Sequence, residues 1–112
     1  MNDWETRRAR YQRDSVSIQL GGLASNLNRI AWCAEQANQQ QALPVLRESK
    51  YFTEWAVPSC DIEQQGLLAE LQRDLAVWER QWGRRMDPSA IAQAARQGSQ
   101  RLLEAAGVLR TS

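Results

Sequence analysis

Apolar residues recur along this chain in steps of three and four. Val16, Leu20, Leu23, Leu27, Ile30, Ala34 and Ala37 alternate four and three apart, which lays one buried stripe along an α-helix. If these are the a and d positions of a heptad, Tyr11, Ile18, Ser25 and Trp32 fall seven apart at f, opposite the stripe. Three of those four are large and apolar or aromatic, where a monomeric bundle places charge. Ala24 and Ala31 beside them are small, and charge resumes only at Arg29 and Glu35 on the flank. A helix apolar on two opposite sides needs cover on both. The chain's own next helix can supply it, or a second molecule can; scattered exposed hydrophobics are also ordinary on monomers. Gly21-Gly22 costs about 1 kcal/mol per residue against Ala inside a helix. It marks either a kink or the close approach of another backbone. Because the repeat keeps its phase through the pair, a continuous or gently bent helix is predicted.

Three more helices follow. Leu43-Pro44 predicts the start of a short second helix over 45–57, since Pro at a first turn lacks only a donor that is unpaired there anyway. Val45, Leu46, Ser49, Phe52, Thr53 and Ala56 make its inner side. Tyr51 and Trp55 share another side with Glu48, and Pro58 stops it. Asp61 and Gln64 have capping-box spacing, and Leu68, Leu71, Leu75, Trp78 and Trp82 give the third helix its seam up to Gly83. Trp78 and Trp82 read as core anchors rather than a cofactor box. Asp87-Pro88 opens a fourth helix with Ile91, Ala95, Gly98, Leu102 and Ala105 inward. Its front half is small enough to let a neighbour approach, such as the Trp-rich end of the third helix. Gly107 is the expected stop, with 110–112 a frayed tail. The expectation is an all-α, four-helix-bundle-like fold with a long N-terminal helix and a short second one, in a single domain over 1–112.

Segment 1–14 reads as an Arg-rich N-terminal arm or helix start. Arg7, Arg8, Arg10 and Arg13 are interspersed with Asp3, Glu5 and Asp14. Such arginines suit nucleic-acid phosphates. A net charge of +1 makes a solvated helix with local acid–base pairs the simpler reading, and nucleic acid the less expected partner. The chain has no signal-peptide-like apolar run and no stretch of about 20 apolar residues for a membrane span. The expected protein is cytoplasmic, with two free thiols.

Most catalytic chemistries lack their residues. The chain has no histidine, so Ser–His and Cys–His nucleophile pairs and Glu-x-x-His metal motifs cannot be written. Cys33 and Cys60 are too few and too far apart for a zinc site. Both read as structural, although Cys60 precedes a helix start that could favour its thiolate. Glu70, Asp74 and Glu79 fall at intervals of four and five without the second acidic pair a magnesium site needs. Arg73 and Arg80 interleave them, so ion pairing is the expected use. Gly21-Gly22 lacks the strand and the Lys-Ser/Thr of a phosphate loop. No metal, no cofactor and no enzymatic activity are expected.

The segments Leu20-Gly21-Gly22-Leu23-Ala24-Ser25-Asn26-Leu27 and Glu48-Ser49-Lys50-Tyr51-Phe52-Thr53-Glu54-Trp55 resemble those of a small all-helical protein family of cyanobacteria. The resemblance spans most of the chain. It implies a helical fold and no catalytic residues. The residues themselves point to a protein–protein interaction or regulatory module, self-associating as a homodimer. Its contact is expected to use Tyr11, Ile18 and Trp32, with Tyr51 and Trp55. The alternative is a nucleic-acid accessory protein acting through the N-terminal arginines.

Overall fold

Ser15 sets the first boundary. In the computed structural model, which describes residues 3–107, its hydroxyl accepts from the Ile18 amide at 3.2 Å, capping a helix that starts at Val16. The segment before it is a separate helix. α1 spans Asp3–Arg13 and α2 spans Val16–Glu35, joined by an elbow at Asp14-Ser15. Segment 3–13 is therefore a helix docked on α3. α2 runs unbroken through Gly21-Gly22. It ends in a Schellman turn, with the Asn38 amide donating to the Cys33 carbonyl at 2.8 Å and the Ala37 amide to Ala34 at 2.9 Å. Ala37 sits there at φ 54°, exposed and outside the helix, so it is not the last residue of the buried seam.

α3 is longer than the predicted 45–57. It spans Gln39–Ala56 because Asn38, and not Leu43, opens it: the Asn38 side chain accepts from the Gln41 amide at 3.1 Å. Pro44 thus lies inside the helix, near enough to its start that the carbonyl it leaves unpaired belongs to exposed Gln40. A single 3-10 turn over Val57–Ser59 leads to α4, Ile62–Gln81. The capping box there is complete, with Gln64 N to Asp61 Oδ1 at 2.7 Å and Asp61 N to Gln64 Oε1 at 2.9 Å. α5 spans Pro88–Ala105 behind the Asp87 cap, and Gly107 follows at φ 78°. The predicted tail at 110–112 lies outside the described residues.

The described residues thus form five α-helices, and neither their number nor their lengths match the four-helix expectation. α2 is central. It packs along α5 and α3, α4 lies against α3 and α5, and α1 rests on α3. Leu20, Leu23, Leu27 and Ile30 meet Leu46, Leu68, Leu75, Ile91 and Leu102 in one core, all essentially inaccessible. The neighbour admitted by the small residues of α5 is α2, not the Trp end of α4: a Cβ on Gly98 would stand 3.0 Å from Leu27 Cδ1. Trp78 and Trp82 are buried in the same core. No helix among the described residues is long and apolar enough to cross a membrane.

Candidate functional site

The accessible side of α2 follows from its helical wheel. Residues 19, 20, 23, 24, 26, 27, 30, 31, 33 and 34 are buried and cover half of the circumference. Ile18, Ser25 and Trp32 lie at the middle of the other half. Ile18 is 60% and Trp32 53% exposed. On one flank, Ser17 donates to the Ala106 carbonyl at 2.9 Å and Glu35 takes a two-pronged contact from Arg96 at 2.6 and 3.1 Å, which holds α5. That guanidinium keeps the Glu35 carboxyl below the usual carboxylate range. On the other flank, Gln19 accepts from the Tyr11 hydroxyl at 2.8 Å, and Asn26 donates to Glu48 at 3.1 Å, which holds α1 and α3. Between these flanks Ile18 and Trp32 stay more than half exposed among the described residues. Gly21 and Gly22 are part of it, and a Cβ on either would meet nothing within 4 Å. Neither glycine is therefore required by packing among the described residues.

The other three expected contact residues go elsewhere. Tyr11 and Trp55 are buried, 9% and 6% exposed, so they belong to the core and not to a docking face. The elbow at Ser15 takes Tyr11 off the α2 heptad and lays it against α3. There its ring stacks on Phe52 at 4.5 Å and lies 5.9 Å from Trp55. Burial, followed by nearby Cys60 and Asp14, holds its phenol protonated far above the ordinary range, as befits a hydroxyl that donates. Tyr51 is 42% exposed, but on the side of α3 turned away from buried Ser49 and Thr53, where Trp4 covers it at 4.3 Å. Ile18 and Trp32 are brought to one face; Tyr51 is not on it.

Sequence reasoning missed Trp4 and the Arg7–Glu48–Asn26 chain. Arg7 donates to Glu48 at 2.6 Å and lies 4.8 Å over the Trp4 ring. The signal was present, since Trp4, Arg7 and Tyr11 are spaced three and four along α1 and share one face. Of the acidic residues of α4, Glu70 and Glu79 are paired, across helices rather than with Arg73 and Arg80, and Asp74 forms no ion pair among the described residues. Glu70 takes Arg101 at 2.8 Å, while Glu79 takes Lys50 and also Arg47 at 3.5 Å. Cys33 and Cys60 are both free and buried. Burial, with Asp61 second, pushes the Cys60 thiol up, the reverse of what an activated thiolate needs. Among the described residues no group of three or more Cys, Asp or Glu converges as a metal-ligand set. No family model, curated protein or solved structure matches this chain.

Proposed function

We propose that this chain is a non-enzymatic interaction module that works as a homodimer, with α2 docked antiparallel on α2 of a second copy. The observation that carries the reading is the ridge Ile18–Ser25–Trp32, exposed among the described residues on the central helix and interrupted by two glycines with no described atom within 4 Å of a Cβ. Ser25 lies midway between Ile18 and Trp32. A two-fold axis at Ser25 sets Ile18 against the second copy's Trp32, and Trp32 against its Ile18. It also sets Asn28 and Arg29 over Gly22 and Gly21, so the bulky half of each helix meets the bare half of its mate. A parallel pairing would instead stack Arg29 on Arg29. Ile18 and Trp32 are about 21 Å apart along the axis, long enough for a helix–helix seam.

Sedimentation equilibrium across a concentration range tests this. The expected result is a dimer that Trp32→Glu or Ile18→Glu converts to a monomer with unchanged far-UV circular dichroism. Tyr51→Glu, on α3 beside Trp4 and not on α2, should leave the dimer intact. A monomer at every concentration, or a dimer indifferent to Trp32→Glu, overturns the proposal. In the runner-up nucleic-acid reading, Arg7 is already engaged by Glu48 and Trp4, leaving Arg8, Arg10 and Arg13 outward on α1.

A further inference from the structure

The loop between α4 and α5 is built to hold its side chains still. Gln81-Trp82-Gly83-Arg84 is a type II turn: the Arg84 amide donates to the Gln81 carbonyl at 2.9 Å, and Gly83 supplies the required positive φ of 70°. The Met86 amide adds a second bond to the Gln81 carbonyl at 3.1 Å, and the Gly83 amide donates to Met86 at 3.0 Å. Buried Trp82 anchors the whole. This loop and the first residue of α3 border a groove of about 590 Å³ lined by Gln39, Arg80, Gln81, Trp82, Arg84 and Arg85. Glu79 also borders it, but its carboxylate is already shared by Lys50 and Arg47. None of the three arginines forms an ion pair among the described residues, nor do Arg8, Arg10, Arg13, Arg29 and Arg73, but these three border one groove.

We infer that this groove binds a small phosphate-bearing anion. Three unpaired guanidinium groups within six residues repel one another on a chain whose net charge is only +1. A multiply charged anion removes that repulsion. Guanidinium forks fit phosphate oxygens two at a time, and the Gln39 and Gln81 amides add neutral donors. The volume is that of a metabolite-sized site, and the bonded loop spares the anion the cost of ordering it.

Inorganic pyrophosphate is the probe, titrated into the full chain at constant ionic strength and followed by ¹H–¹⁵N NMR. Saturable shifts are expected at the Arg80, Arg84 and Arg85 Nε–H groups and the Gln39 and Gln81 side-chain amides, with none from chloride. The double variant Arg84→Gln/Arg85→Gln, exposed and so folded as judged by circular dichroism, should weaken binding by about tenfold or more. Arg8→Gln/Arg10→Gln on α1 should leave it unchanged. Shifts that never saturate in the millimolar range, or equal weakening by both double variants, overturn the inference, since either result describes unspecific charge screening.

Discussion

Gly21, Gly22 and Gly98 look alike in the sequence, each a glycine inside a helical repeat, yet the structure gives them opposite meanings. Above Gly21 and Gly22 there is open space, whereas Gly98 is where α5 touches α2. In a Trp32→Glu background that removes any dimer, Gly21→Ala and Gly22→Ala should each stabilise the chain by up to about 1 kcal/mol. Gly98→Ala gains the same helix propensity but forces a Cβ to 3.0 Å from the fully buried Leu27 Cδ1. Overpacking of about 1–3 kcal/mol outweighs the gain, so a net loss of up to about 2 kcal/mol is expected in urea unfolding. Equal stabilisation at all three sites would mean that Leu27 gives way freely. Periodicity assigned all three to helices and could not rank them, because a glycine's worth depends on what stands opposite its missing side chain. Ala37 fails for a related reason: it kept the seam's spacing, but the turn after Ala34 put it in the left-handed region.

Two element starts are legible from local chemistry. The Asp61–Gln64 box and the Asp87-Pro88 start are found where the residues place them, because both partners of each cap lie within one turn. The elbow at Ser15 was missed because a repeat at heptad spacing runs from Tyr11 to Trp32 without regard to it. Asn38 was passed over in favour of Pro44, the more conspicuous signal. With the elbow in place, α1 depends on α3 for its position. Tyr11 is its only buried residue, held by the Phe52 stack and the bond to Gln19. Tyr11→Phe should cost about 1 kcal/mol. Tyr11→Ala should release α1 selectively, with amide hydrogen exchange rising across 3–13 while α2 and α5 stay protected. Exchange rising uniformly would show instead that α1 and the core unfold together.

At the scale of the molecule, charge links one helix to another: Arg7 to Glu48 across α1–α3, Glu35 to Arg96 across α2–α5, Lys50 to Glu79 across α3–α4, and Arg101 to Glu70 across α4–α5. Such exposed pairs add little stability each, but they favour one arrangement of neighbours over others. Two of them leave a pH signature. The hydrogen bonds from Lys50 and Arg96 hold Glu79 and Glu35 below their ordinary value of 4.5. A depressed folded pKa means that the stabilisation is complete above the unfolded value and is lost as pH falls through the folded one. The melting temperature should therefore fall on acidification below about pH 4.5, and less steeply in Glu79→Gln. Asp74 runs the other way. Burial, with Glu70 second, raises its carboxyl, so its protonation relieves part of the same acid loss.

The residues alone determined that the chain is helical, where α4 and α5 begin, and that Ile18 and Trp32 lie opposite the buried stripe of α2. Those properties depend on neighbours a few positions away, and a 3.6-residue period carries them. Only tertiary packing decided that Tyr11 and Trp55 are core, that α5 covers α2, and that Gln39 of α3 meets the turn carrying Arg84 and Arg85. Each of these depends on which distant side chain fills a given space, and no spacing along the chain encodes that.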